Sequence, residues 1–100
     1  MTNNKTNKIG FDLEDRTSKY GEDVIRFLKK LKRDIYNESL IKQLIRSATS
    51  IGANYREANS ASSKKDFRNK IFICQKEAKE TKHWLQMIVQ TNPEAKSEAR

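Results

Sequence analysis

The chain has 100 residues, enough for one domain, with 35% hydrophobic and 34% charged residues. Three Gly and one Pro give too little turn punctuation for a sheet protein, and a single Cys excludes an internal disulfide and a paired-cysteine metal site. A formal net charge of +8 biases partners toward polyanions: RNA, DNA or an acidic protein.

Residues 1–10 are polar and read as a disordered tail ahead of a folded domain at 11–100. The start, MTNNKTNK, lacks the apolar stretch of a signal peptide. No apolar run reaches the ~18 residues of a membrane span, so no membrane partner is expected and the cytoplasm is the expected compartment. Phe11 and Leu13 are candidates to hook the tail onto the body. Tyr20, Val24, Phe27, Leu28 and Leu31 then recur at helical spacing and predict a first helix over about 14–33. Its early acids, Asp12, Glu14 and Asp15, and its late bases, Lys29, Lys30, Lys32 and Arg33, complement the helix dipole. Gly21 reads as a tolerated weak point in it.

Leu40, Ile41, Leu44, Ile45, Ala48, Ile51, Gly52 and Tyr55 predict a second helix over about 38–59, with Asn37 as its N-cap. The small polar run ANSASS breaks the pattern. Ser63 and Asp66 form a capping-box arrangement before a third helix over about 64–90. Its seam is Phe67, Ile71, Cys74, Ala78, Thr81, Leu85 and Ile88, widened by Phe72, Ile73, Trp84 and Met87. Asn92 and Pro93 open a fourth helix that has only about two turns before Arg100. The expected fold is therefore all-α: an up-down antiparallel bundle of three long helices plus a truncated fourth, with an apolar seam left for another chain.

Helix two carries a polar knot around Gly52. A missing Cβ there lets another backbone approach, and packing is a better account of it than a hinge. Ser47, Ser50 and Asn54 share a face and read as interhelical hydrogen-bonding groups, which fix register or partner number. Arg46 and Glu57 flank the knot. Helix three runs back past it with Glu77 and Glu80, so Arg46 or Arg56 is expected to pair with Glu77 or Glu80 across the two helices. The competing reading is a solvated charged face, worth under about 1 kcal/mol per pair.

Little in the chain points to catalysis. Glu80 and His83 stand in an E-x-x-H spacing, but carboxylate-bridged di-iron bundles need two such motifs and the chain has one His. Sharing a metal through Glu77, Glu80 and His83 of several chains is a remote alternative; a surface His83 beside Trp84 is the simpler one. Cys74 falls in the apolar seam and reads as a small buried hydrophobe rather than a nucleophile. The three Gly are isolated, so there is no phosphate-cradling loop. No enzyme activity, cofactor or metal is expected.

Two basic clusters stand out. Arg26, Lys29, Lys30, Lys32 and Arg33 end helix one, and Lys64, Lys65, Arg68 and Lys70 open helix three. An up-down bundle puts these clusters at opposite poles, while Lys76, Lys79 and Lys82 continue the second along helix three. Arg26, Lys29, Lys30, Lys32, Arg33, Lys64, Lys65, Arg68, Lys76 and Lys79 are thus candidates for phosphate contacts, which are salt-dependent and sequence-tolerant. A solvated face is the alternative. Tyr55 and Trp84 fit a core or interface role better than base stacking.

The stretch from Leu40 to Leu85 also resembles a known family. The residues that carry the likeness are Arg46-Ser47-Ala48, Ser50-Ile51-Gly52-Ala53-Asn54 with Glu57-Ala58, Ser63, Asp66-Phe67, and Glu77-Ala78 through Glu80 to Trp84-Leu85. They resemble the bacterial four-helix-bundle proteins first noted as reading frames inside intervening sequences of large-subunit ribosomal RNA genes. The resemblance implies an up-down four-helix bundle that assembles into a ring, commonly a pentamer. One branch, the accessory proteins of diversity-generating retroelements, implies a basic barrel that binds nucleic acid and a reverse transcriptase. The fourth helix of the family normally continues past the position of Arg100, where this chain departs from the pattern. Residues and resemblance together lead to an expected non-catalytic homo-oligomeric scaffold that binds nucleic acid, structured RNA or an RNA–protein complex. The alternative is a protein-interaction module that uses the apolar seam without nucleic acid.

Overall fold

The computed structural model describes residues 4–93, with side chains from Asp12 onward. Among the described residues there are three helices and no strand: α1 (Asn4–Lys29), α2 (Glu38–Asn59) and α3 (Lys64–Thr91). α2 is the central element and packs on both neighbours, whereas α1 and α3 meet only weakly. Among the described residues the result is an all-α, three-helix assembly, not a four-helix bundle. α3 stops where Asn92 leaves helical geometry, its N–H still bonded to the carbonyls of Ile88 and Val89. The short fourth helix expected beyond Pro93 lies outside the described residues.

α2 and α3 fall within a residue of their sequence-derived limits; α1 does not. It begins at Asn4 instead of about 14, so residues 4–10 are helical where composition suggests a disordered tail. It ends at Lys29, short of Arg33. The cause is local: Lys30 and Leu31 donate to the carbonyls of Phe27 and Leu28, tightening the last turn. The side chains that follow then hold a loop. Asp34 Oδ1 accepts from the N–H groups of Tyr36 (2.8 Å) and Asn37 (2.9 Å). Asn37, fully buried, accepts from Asp34 N–H (3.0 Å) through Oδ1 and donates to Lys32 O (3.0 Å) through Nδ2. Asn37 stands at the N-cap position of α2 but makes no side-chain capping bond; it locks the connection instead. Ser63 does cap α3, accepting from Asp66 N–H at 3.0 Å.

The core is lopsided. Val24, Phe27 and Leu28 of α1, Ile41, Leu44 and Ala48 of α2, and Ile88 of α3 form it, ringed by Leu31, Leu40, Ile45, Trp84 and Leu85. All lie toward the pole of the α1–α2 loop. α3 has only Thr81 and Ile88 fully buried, so its first half lies against α2 without a buried apolar anchor of its own. Of the seam expected along α3, Phe67 stays 40% exposed and Ala78 is exposed, while Ile71, Cys74 and Leu85 are half-buried and Thr81 and Ile88 buried.

Glycine spaces α1 from α2. Both Gly21 and Gly52 are buried in helical backbone, neither at positive φ, so room and not torsional freedom is at stake. A Cβ on Gly52 would stand 3.3 Å from Ser18 N and from Thr17 C, both backbone atoms of α1. A Cβ on Gly21 would meet Ala48 O and Thr49 Cα at 3.5 Å, an ordinary contact. The close approach expected at Gly52 is thus with α1, and Gly21 is part of the same crossing.

Candidate nucleic-acid interface

The polar residues of α2 and α3 sort by face. In an antiparallel pair each step along one helix is a step back along the other. Arg46 lies at one level of the α2–α3 contact: Nη1 donates to Glu77 Oε1 and Oε2 (3.2 Å each) and Nη2 to Glu80 Oε1 (2.8 Å). Gln43 Oε1 braces the guanidinium through Nε at 3.2 Å. Toward the other end, Lys70 Nζ meets Glu57 Oε1 at 2.7 Å, a hydrogen bond that also pushes the Lys70 pKa up. Next to Arg46, Thr81 Oγ1 contacts Ser47 Oγ at 3.0 Å in a fully buried spot and donates to Glu77 O at 2.8 Å.

Not every residue of the expected network joins it. Arg56 turns to α1, its Nε 3.7 Å from Glu14 Oε1, and Asn59 Nδ2 donates to Glu14 Oε2 at 2.7 Å. Asn54 Nδ2 donates to Ser50 O (2.9 Å) and Ser50 Oγ to Arg46 O (2.6 Å), both within α2. Of the three groups expected to bridge helices, Ser47 alone does so. The network also takes in Lys70, Thr81 and Glu14, which helical periodicity does not mark as its members. Register could have found Lys70: starting from Arg46–Glu80, eleven residues on along α2 is Glu57, and ten back along α3 is Lys70.

With Glu57, Glu77 and Glu80 held at the contact, the solvent side of α3 is left to cations. Lys64, Lys65, Arg68, Lys76, Lys79 and Lys82 are all exposed and, among the described residues, make no ion pair. In the α1 cluster Arg26 meets Asp23 (3.3 Å), which Lys19 also holds (3.1 Å). Lys29, Lys30, Lys32 and Arg33 are exposed near the opposite pole, beside the exposed Ile35 and Tyr36. The two clusters therefore do not merge.

The remaining candidates are accounted for by packing. Tyr55 is partly buried, its pKa raised by burial first and then by the charge of Glu14. Trp84 packs against the core and meets the His83 ring edge-on at a 4.8 Å centroid distance. The Cys74 thiol donates to Ile51 O at 3.5 Å, and burial pushes its pKa up, away from a reactive thiolate. Among the described residues no three His, Cys, Asp or Glu side chains gather as a metal site, and no helix is long and apolar enough to cross a membrane.

Comparison with known proteins places these features in a family. No curated protein matches the chain. A crystal structure of a protein of unknown function from the S23 ribosomal protein family of Bacteroides thetaiotaomicron VPI-5482 is similar, with a TM-score of 0.74 and 37% sequence identity. The match covers 83% of this chain and 74% of that one. The family model for the 23S rRNA-intervening sequence protein matches residues 12–99. On that match, spanning α1 to α3 and the Arg46–Glu77–Glu80 ladder, the chain belongs to the 23S rRNA-intervening sequence protein family.

Proposed function

We propose that this chain is a non-catalytic, self-associating cytoplasmic scaffold that binds RNA through the solvent face of α3. The observation that carries the reading is the separation of charge on that helix. Two of its three acids, Glu77 and Glu80, are tied to Arg46, while six cations face solvent unpaired among the described residues. Cations that had evolved only for solubility would not need their acidic neighbours taken up elsewhere. Phosphates satisfy such a row without reference to sequence. The names of the family and of the Bacteroides relative, which refer to 23S rRNA and to a ribosomal protein, support RNA as the polyanion.

Self-association is the second half of the reading. Phe67 and Ala78 leave apolar surface open on α3, beside Lys64 and Lys82 but on the opposite side from Lys65 and Lys76, where a second copy fits, in a ring such as a pentamer. The same surface would serve a foreign helix if the chain were a protein-interaction module, and the nucleic-acid titration separates the two.

The test is an anisotropy titration with labelled structured RNA at about 50 and 200 mM salt. Affinity should fall steeply between the two. Reversing Lys65, Arg68 and Lys76 to Glu should weaken binding for every sequence and flatten the salt slope by about 1 per lost contact. Absence of binding at low salt would sink the proposal.

A further inference from the structure

The cation face of α3 is interrupted by one aromatic ring. Phe72 is 67% exposed, and what singles it out is the company it keeps on that face. At about 100° per residue, Arg68 and Lys76 lie within about 40° of it round the helix, and Lys65 and Lys79 within about 20°. The four span roughly 21 Å along the axis. None of them makes an ion pair among the described residues. The acids of α3, Asp66, Glu77 and Glu80, sit about 80° or more away. So an apolar ring stands at the centre of four free positive charges with no acid on its face.

What can cover that combination is chemically narrow. An apolar protein surface would bury the ring but strip the cations of water without pairing them, which is costly. A nucleic-acid duplex would pair the cations, but its bases are stacked inside and offer the ring nothing. An unpaired strand offers phosphates and a free base face together. We propose that this face takes an unpaired stretch of nucleic acid, with Phe72 stacked on a base and Lys65, Arg68, Lys76 and Lys79 on the flanking phosphates. The inference rests on the nucleic-acid reading above and narrows it to single-stranded segments such as loops and tails.

The experiment uses the full chain, a labelled oligo(U) strand and a labelled RNA duplex of equal length. Phe72 is exposed, so its variants keep the fold, as circular dichroism will show. Phe72→Ala should weaken oligo(U) binding about ten-fold or more and leave duplex binding within about two-fold. Phe72→Leu, which keeps bulk but not the π face, should not restore it; Phe72→Trp should. The salt slope should stay unchanged in all three, whereas Lys65→Gln should lower it on both probes. Oligo(U) affinity indifferent to Phe72→Ala, or restored by Leu, overturns the inference and leaves the polyanion reading standing. Wild-type protein that binds neither probe ends both. A smaller assembly for Phe72→Ala in sedimentation, with oligo(U) affinity intact, would make Phe72 a contact between copies. Poly-glutamate bound as tightly as oligo(U), with the same dependence on Phe72, would assign the face to an acidic protein partner.

Discussion

Two kinds of polar residue hold this protein, and their costs on removal differ. Asn37 is fully buried and serves two backbone groups of the α1–α2 loop at once. Asn37→Ala leaves both without a partner, at about 1–3 kcal/mol. Each kcal/mol lowers the melting temperature by roughly 4–8 °C in a domain of this size. Glu77→Gln is milder. Its partner Arg46 is 45% exposed and keeps Glu80, so water screens part of the loss. About 1 kcal/mol or less is expected, a drop of a few degrees in the same thermal melt. A Glu77→Gln melting curve superposing on wild type would reduce the ladder to surface decoration. The sequence disclosed the residues of the ladder but only part of its wiring. Arg46 faces Glu77 and Glu80 because antiparallel register puts them level; Arg56 lies two further turns or more along α2, where α1 brings Glu14 within reach. Asn37 could be read as a cap from its position alone, since nothing in a helix pattern shows that Asp34 and Lys32 will compete for its side chain.

Among the elements, the α1–α2 crossing is the most sensitive to a single methyl group. Gly21→Ala adds a Cβ at ordinary contact distance and gains helix propensity, about 0.5–1 kcal/mol of stabilisation. Gly52→Val pushes a branched side chain against the backbone of α1, which has no rotamer to give. It should cost about 1–3 kcal/mol, as overpacking does. Urea midpoints for the pair should therefore move in opposite directions, and a common direction would mean that the helices are free to slide. The periodicity of apolar residues made all three helices legible, and turn chemistry placed the end of α2 and the start of α3, whereas the start of α2 falls at the right residue without the capping bond expected of Asn37. α1 escaped at both ends because its limits depend on things periodicity does not register: a loop whose own side chains end the helix, and polar residues 4–10 that lengthen it.

For the whole molecule, pH reports on how well α2 covers its neighbours. Burial raises the pKa of Cys74 above its ordinary 9.0 and that of Tyr55 above its ordinary 10.0. Both are neutral when protonated, so the folded state holds these protons more tightly than the unfolded one. Their contribution is complete below the ordinary values and disappears as pH climbs through the raised ones. The stability of wild type relative to Cys74→Ala should accordingly be flat near neutrality and fall above about pH 9. A difference that stays constant to pH 11 would mean that the thiol is as wet in the folded chain as in the unfolded one.

A core gathered at one pole has a dynamic consequence. Opening the first half of α3 breaks few apolar contacts, so that half should exchange its amide protons well before Ile41, Leu44 and Ala48. This is also the half that bears Lys65, Arg68 and Phe72. A strand laid along it would bind the closed helix and not the frayed one, adding its own free energy to a place where the chain alone has little. Protection gained on binding would then appear over residues 64–78 and not in the core. Part of the intrinsic affinity would be consumed in holding that helix shut, and the protein would become evenly stable along its length only when loaded.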